Sequence, residues 1–124
     1  MKYLFDTNSI IHLIADAFPA LSRRVSDTEV GAIGVSTISL AEVALGIFHG
    51  KPPESSVLDA FVAQVPLVPF DDGAARAYAT LPFKRGNFDR LIAAQALDRD
   101  LTIITRNTRD FADVPGLRVE NWTV

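Results

Sequence analysis

The chain has 124 residues, of which 48% are hydrophobic and 22% charged, and these proportions indicate a folded protein with a buried core. It contains no cysteine and two histidines, so its composition excludes thiolate metal sites, disulfides and a three-histidine zinc site. The net charge of −3 is unevenly distributed, because residues 1–75 carry −5, residues 76–118 carry +3 and Glu120 adds the remaining −1. An acidic first half is atypical of proteins that coat nucleic acids, but the basic second half permits local contact with a polyanion.

Short apolar runs alternate with helical patterns along the chain. The first run, Lys2–Phe5, predicts a strand, and Thr7 or Asn8 is expected to cap the helix that follows. The other predicted strands are Val30–Ser36, Leu67–Phe70, Leu101–Thr105 and an edge strand, Leu117–Glu120. The other predicted helices are Pro19–Ser26, Ser39–Phe48, Glu54–Val65, Asp71–Leu81 and Asp89–Leu97, with a polar turn at residues 84–87. This alternation predicts one α/β domain over residues 1–124, with helices on both faces of a parallel sheet.

The chain shows no segment typical of membrane insertion or export. No uncharged apolar run approaches the roughly 20 residues that a membrane span requires. The first apolar run meets Asp6 too early for a signal peptide. We therefore expect a cytoplasmic protein with no membrane partner.

Several acidic residues are predicted to meet at one edge of the sheet, because ligands in such folds bind beyond the carboxyl ends of the strands. Asp6 ends the first strand, and Glu42 is expected in the first turn of the helix after the second strand. Asp89 begins the helix before the late strand, while Asn107 and Asp110 lie in the segment that leaves that strand. Clustered carboxylates require a cation, and Mg²⁺ or Mn²⁺ prefers oxygen ligands. This set of side chains best fits metal-assisted hydrolysis of a phosphodiester.

Each of these residues also has a structural interpretation. Glu42 follows Ser39 at the spacing of a capping box, and Asp89 can complement the dipole at a helix start. Asp6 can cap the next helix, although a carboxylate beside a buried strand is costly unless it is paired. Asn107 suits a turn and Asp110 a helix cap. Taken singly, these residues leave structural and catalytic roles open.

Basic side chains near the acidic residues form a second group. They are Lys84, Arg85, Arg90, Arg106 and Arg109. Each fits a solvated surface, whereas together they suit contacts to the phosphates of a nucleic acid. His12 fits a packed or solvated helical residue better than a ligand, and Phe111 and Trp122 are expected to pack.

Five short motifs occur in order along the chain. They are Asp6-Thr7-Asn8, Ser39-Leu40-Ala41-Glu42-Val43, the block Phe88–Leu97, Thr105-Arg106-Asn107 with Asp110-Phe111, and the tail Val114–Trp122. In this order they resemble the PIN-domain ribonucleases, and more closely the VapC toxins of bacterial type II toxin–antitoxin systems. The resemblance extends from the first strand to the last residues.

This resemblance implies a PIN-like fold and an endoribonuclease that depends on Mg²⁺ or Mn²⁺ and cuts RNA such as tRNA or rRNA. By motif, Asp6 and Asp89 would be the principal metal ligands. Glu42 would complete the acidic cluster, directly or through a metal-bound water that serves as the nucleophile. The residues that would orient carboxylates and water are Thr7, Asn8 and Thr105. A homodimer and a cognate VapB-type antitoxin are also implied.

Asn107 departs from the family pattern, in which an acid often follows Thr-Arg. Its carbonyl can bind a cation but supplies no negative charge, so a second metal ion would be held less tightly, and Asp110 offers compensation. A catalytically impaired PIN-like module that binds RNA or antitoxin is therefore an open alternative. A phosphoryl-accepting α/β domain is a weaker alternative. A phosphatase with an aspartate nucleophile would need a second Asp two residues after Asp6, and this chain has Asn8 at that position.

Overall fold

The computed structural model describes residues 1–84 and 87–124, so part of the predicted turn at 84–87 lies outside the described residues. The strands are β1 (Tyr3–Phe5), β2 (Ile33–Ser36), β3 (Leu67–Val68), β4 (Thr102–Ile104) and β5 (Val119–Glu120). The helices are α1 (Thr7–Ile14), α2 (Pro19–Ser26), α3 (Thr37–Phe48), α4 (Ser55–Val62), α5 (Asp72–Tyr78) and α6 (Phe88–Arg99), with a 3₁₀ turn at Thr108–Phe111. The predicted alternation of strands and helices is confirmed. None of the helices in these ranges is long and apolar enough to cross a membrane.

The strands form one parallel sheet in the order β3-β2-β1-β4-β5, with β1 in the middle. Leu4 of β1 lies opposite Gly34 of β2 on one side and Ile103 of β4 on the other. The chain winds outward from β1 to β3 and then returns to place β4 beside β1, so the winding direction reverses between these two strands. Such a switch point opens a crevice at the carboxyl ends of its strands, where ligands of α/β sheets bind.

Both faces of the sheet carry a hydrophobic core, because successive side chains along a strand point in opposite directions. Leu4 and Ile103 pack on the side of α6 and the 3₁₀ turn, together with Phe111. Phe5 packs on the opposite side, among residues of α1 to α4, with Trp122. Phe111 and Trp122 are 2% and 1% exposed, so their predicted packing role is confirmed.

The start of α1 differs from the prediction. Its cap is Asp6, whose Oδ1 accepts a hydrogen bond from the backbone nitrogen of Ser9 at 2.9 Å. Thr7 and Asn8, the expected caps, are the first residues inside the helix. Since Asp is among the best capping residues and directly follows β1, the helix begins one or two residues before the predicted position.

The start of α3 also differs. Its cap is Ser36, whose Oγ accepts a hydrogen bond from the backbone nitrogen of Ile38 at 2.9 Å. Ser39 lies inside the helix, so the predicted capping box of Ser39 and Glu42 is wrong. Glu42 consequently lies in the second turn of α3 and not in the first. The error arose because Ser36 and Ser39 are both acceptable caps, and the chain passes from β2 directly into α3 at the earlier one.

Candidate active site

Asp6 lies at the switch point, immediately after β1, and only 5% of its surface is exposed. One carboxylate oxygen caps α1, and the other accepts a hydrogen bond from Thr105 Oγ1 at 2.6 Å. Thr105 directly follows β4, so this bond ties together the ends of the two strands that frame the crevice. The Thr105 hydroxyl is itself fixed, because it accepts a hydrogen bond from the backbone nitrogen of Asn107 at 3.0 Å.

Glu42 reaches the same place from α3, which packs against α1. Its Oε1 accepts a hydrogen bond from Thr7 Oγ1 at 2.6 Å. Thr7 follows Asp6 in the chain, so one short segment positions both carboxylates. Glu42 is half-buried. Its contact with Thr7 depends on the packing of α3 against α1, so the residues next to Glu42 in the sequence do not indicate it.

Asp89 enters the site from the first turn of α6, where Asn87 caps the helix through a 2.9 Å hydrogen bond from the Asp89 backbone nitrogen. Burial is the largest cause of an increase in the pKa of Asp89 to about 6. The negative charges of Asp6, Asp110 and Glu42 raise it further, while Arg90 opposes the shift. The four carboxylates therefore act on a common region, which we call the acidic edge. Its members are Asp6, Glu42, Asp89 and Asp110.

Asn107 and Asp110 are neighbours in the segment after β4. Asn107 Nδ2 donates a hydrogen bond to Asp110 Oδ2 at 2.5 Å. Asp110 contributes to the electric field at Asp89, whereas Asn107 is neutral and holds the Asp110 side chain in place. The structure thus brings the five acidic and amide residues selected from the sequence to the edge of the sheet where the strands have their carboxyl ends. These residues are Asp6, Glu42, Asp89, Asn107 and Asp110.

The donor set of the acidic edge suits a hard divalent cation. Across residues 1–84 and 87–124, no three acidic or imidazole side chains lie close enough to bind one ion together. Mg²⁺ does not require such a cage, since it is commonly bound by one or two carboxylates and several waters. The acidic edge offers carboxylate oxygens, with no thiol or imidazole cluster among the described residues, and so matches the preference of Mg²⁺ for oxygen ligands.

The basic residues expected near the site do not share one environment. Arg90 is 1% exposed, and its Nη2 lies 2.6 Å from both carboxylate oxygens of Asp113. The prediction of a solvated or phosphate-binding Arg90 is therefore wrong. Lys84 Nζ lies 3.7 Å from Asp113, and we call Arg90, Asp113 and Lys84 the ion-pair cluster. Arg106 and Arg109 are exposed, and Arg85 lies outside the described residues.

A cleft of about 720 Å³ opens beside Asp6. Its walls come from α1, the connection between α1 and α2, the segment after β4 and the C-terminal segment, and include Asn8, His12, Phe18, Arg106 and Asn121. The sequence analysis did not predict this cleft, because its lining residues lie in four separate parts of the chain. His12 packs edge-on against Phe18, in agreement with the expected packing role.

Comparison with known proteins identifies the family. Residues 3–117 match the family model of the PIN domain. The chain is 32% identical to the tRNA(fMet)-specific endonuclease VapC of Shigella flexneri, with 99% of each chain aligned. It superposes on DNA-bound VapBC from Salmonella typhimurium with a TM-score of 0.86, at 26% identity over 98% of each chain. A toxin–antitoxin complex from Klebsiella pneumoniae is also similar, with a TM-score of 0.75 at 25% identity over 97% of each chain.

These similarities extend over nearly the whole chain, and they agree with the order of motifs at the acidic edge. Dependence on a divalent metal is general among PIN-domain nucleases, and the carboxylates described above fit that requirement. The family match also excludes the phosphoryl-accepting domain as an interpretation of the fold. The chain belongs to the PIN-domain family and is a ribonuclease of the VapC type.

Proposed function

We propose that the protein is an endoribonuclease toxin in which Asp6 and Asp89 hold Mg²⁺ or Mn²⁺, Glu42 acts through a metal-bound water, and Asp110 adds the fourth negative charge. The hydrogen bonds that hold the carboxylates of Asp6 and Glu42 beside the end of β1 carry this proposal. The pKa of Asp89, raised to about 6 by burial and by three like charges, agrees with it. Ionising all four carboxylates together is unfavourable unless a cation binds among them. A bound divalent ion would activate a water molecule and offset the negative charge of the phosphoryl group.

The side chains around the acidic edge have distinct roles in this proposal. Thr105 and the backbone nitrogen of Ser9 hold both oxygens of Asp6, and each oxygen retains a lone pair for a cation or water. Thr7 holds one oxygen of Glu42. The other oxygen has no hydrogen-bond partner among residues 1–84 and 87–124, so it can accept a proton from the attacking water.

Many PIN domains have an acid at the position of Asn107. Here Asn107 and Asp110 together would fill the role of that acid. The amide of Asn107 donates to Asp110, so Asn107 positions a carboxylate and does not itself add charge. The charge of Asp110 acts on Asp89. We therefore assign Asp110 as the fourth acidic group and Asn107 as its positioning residue.

The relatives suggest the substrate and the partner. Because the similar protein of Shigella flexneri is named for tRNA(fMet), the initiator tRNA is the first substrate to test. The similar solved structures include a toxin–antitoxin complex, so a VapB-type antitoxin is the expected partner of this chain. A homodimer remains part of the proposal, as does a cytoplasmic location.

Cleavage of RNA by the purified, antitoxin-free protein tests the proposal. Initiator tRNA and total RNA are incubated with Mg²⁺, with Mn²⁺ or with a chelator, beside the variant Asp6→Asn. This variant keeps a side-chain oxygen that can cap α1, so loss of activity reports on the carboxylate and not on folding. We expect discrete fragments that require the metal and are absent with the variant. Cleavage in the chelator, or by the folded variant, would contradict the proposal. RNA binding without any cleavage would favour the alternative of an impaired binding module.

The identity of the nucleophile has its own test. A substrate with a single 2′-deoxy nucleotide at the mapped cleavage site cannot supply a 2′-hydroxyl for attack. We expect this substrate to be cut at a similar rate, since the proposed nucleophile is water. Complete resistance of the deoxy substrate would show that the 2′-hydroxyl attacks and would reject the role given to Glu42.

A further inference from the structure

One wall of the cleft beside Asp6 has no role in binding the cation. It is formed by His12, Phe18 and Arg106, and it adjoins the acidic edge through Asp6. The cleft volume of about 720 Å³ falls within the range of about 300 to 1,000 Å³ typical of pockets that hold small ligands. This space can therefore hold a nucleotide that lies next to the phosphate at the acidic edge.

Arg106 has a defined position in this wall. Its guanidinium carbon lies 5.0 Å from the centre of the Phe18 ring, and the side chain is exposed to the cleft. In the described part of the chain, no carboxylate lies within ion-pair distance of Arg106. The residue also directly follows Thr105, which is bonded to Asp6. Its position is thus coupled to the acidic edge without an ion pair that would neutralise its charge.

Phe18 also packs against a second ring. The ring of His12 meets it edge-on, with centres 5.0 Å apart and planes at 77°. His12 Nδ1 is buried without a hydrogen-bond partner in residues 1–84 and 87–124, so packing rather than a hydrogen bond sets the position of this ring. The guanidinium of Arg106 therefore lies over a ring that is itself packed against His12.

We propose that Arg106, supported by Phe18, is the stacking platform for the base of a nucleotide that flanks the cleaved bond. Bases of single-stranded RNA stack on guanidinium planes as well as on aromatic rings. The amides of Asn8 and Asn121 line the same cleft. Asn121 Oδ1 accepts two hydrogen bonds from Thr123, so Asn121 offers its amide nitrogen as a donor, while Asn8 offers a donor and an acceptor for the edge of the base. The inference rests on the proposed function, because it takes single-stranded RNA as the ligand.

Binding of a short RNA with and without its bases tests the platform. The probes are a labelled tetranucleotide of mixed sequence and a tetramer of the same sugar-phosphate backbone that lacks bases, both measured in chelator to prevent cleavage. We expect the wild-type protein to bind the tetranucleotide about tenfold more tightly, as stacking on one platform predicts. Arg106→Lys, which keeps the charge but removes the plane, and Phe18→Leu should both abolish most of this difference.

Arg23→Lys is the matched control. Arg23 is exposed on α2, lies outside the cleft and has no ion-pair partner among the described residues, so this variant should keep the full tenfold difference. Equal binding of both probes by the wild type, or an unchanged difference in Arg106→Lys, would overturn the proposal. A base-dependent difference in a protein that cuts no RNA would retain the platform and reject the nuclease. Metal-dependent cleavage without a base-dependent difference in binding would retain the nuclease and reject the platform.

Discussion

Asp89 at the acidic edge and Asp113 in the ion-pair cluster are both aspartates, but their pKa values are shifted in opposite directions. At the acidic edge, burial and three neighbouring carboxylates raise the pKa of Asp89 to about 6. In the ion-pair cluster, the hydrogen bond from Arg90 is the largest cause of a pKa of Asp113 below its ordinary value. Asp89 and Arg90 are adjacent in α6, yet one faces like charges and the other a counter-ion.

The proposed function accounts for this difference, because it gives the ion-pair cluster a structural role and the acidic edge a catalytic one. The chain places a cation beside the carboxylate of Asp113, where the pair connects α6 to the segment after the 3₁₀ turn. Among residues 1–84 and 87–124, no lysine or arginine forms an ion pair with a carboxylate of the acidic edge, so these carboxylates keep an unfavourable concentration of negative charge. Such charge arrangements are frequent at catalytic sites, where an external cation or a substrate completes them.

The largest expected effect is on catalysis at the acidic edge. Asp6→Asn should lower the rate of RNA cleavage by roughly 10³-fold or more, since it removes a charge that binds the cation. The measurement is the initial rate of tRNA cleavage in Mn²⁺. Asp72→Asn is the control, because Asp72 is exposed on α5 and, among the described residues, forms an ion pair with Arg76 alone. A comparable loss in both variants would mean that Asp6 has no special role.

The next largest effect is on stability in the ion-pair cluster. Arg90→Ala should lower the free energy of unfolding by roughly 3 kcal/mol, because it removes a large buried side chain and its ion pair with the half-exposed Asp113. The matched control is Arg76→Ala, which removes an exposed ion pair within α5 and should cost less than about 0.5 kcal/mol. Denaturant unfolding measures both variants. Equal costs would show that the burial of Arg90 adds nothing to stability.

A smaller effect on catalysis is expected from the residue that positions Asp6. Thr105→Val keeps the shape of the side chain but removes the donor to Asp6, and should lower the cleavage rate by about 10- to 100-fold. Thr102→Val is the control, since Thr102 lies at the opposite end of β4. Cleavage rates and melting temperatures are measured together. A loss of activity that only follows the melting temperature would show that the Thr105 hydroxyl is structural.

The smallest effect is a pH dependence of stability in metal-free protein. The pKa of Asp89 is about 6 in the folded protein, against an ordinary value of 3.8, so the folded state binds the proton more strongly. Stability therefore falls as the pH rises from about 4 to about 6, and Asp89→Asn should remove this fall. Above pH 6 the variant should be more stable by about 1 kcal/mol, after a reduction for solvent screening.

Asp113→Asn provides the opposite case for the same measurement. Because the pKa of Asp113 is lowered in the folded protein, its carboxylate stabilises the fold at neutral pH, and this contribution is lost as the pH falls. The variant should therefore be less stable than the wild type at neutral pH and approach it in acid. Melting temperatures between pH 3 and pH 8 compare the three proteins. If both substitutions changed stability in the same direction at neutral pH, the contrast between the two regions would be wrong.

Much of the fold follows from local patterns in the sequence. Apolar runs bounded by polar residues located the strands, and the rule that ligands bind beyond their carboxyl ends drew attention to Asp6 and to the segment after β4. α2 begins and ends where predicted, since Pro19 fixes its first turn. Helix starts were less predictable, because Asp6 and Ser36 compete with equally suitable caps nearby.

Contacts between distant residues could not be predicted in this way. An arginine on a helix is usually solvated, and nothing in the sequence connects Arg90 to Asp113, which lies 23 residues away in an irregular segment. α6 is also buried on several sides, so its residues lack the one-sided pattern that separates buried from exposed positions. The cleft was missed for the same reason, because Phe18 and Arg106 meet only in the folded chain.

Binding of a divalent cation to metal-free protein tests most directly whether the acidic edge is the functional region. The melting temperature is measured as Mn²⁺ is added to the wild type, to Asp6→Asn and to the control Asp72→Asn. Binding to the folded state alone should raise the wild-type stability by about 2.7 kcal/mol at a hundredfold excess over Kd. We predict that Asp72→Asn behaves as the wild type and that Asp6→Asn requires at least about tenfold more Mn²⁺ for the same rise. An equal response in Asp6→Asn, or no response in the wild type, would contradict a cation site at the acidic edge.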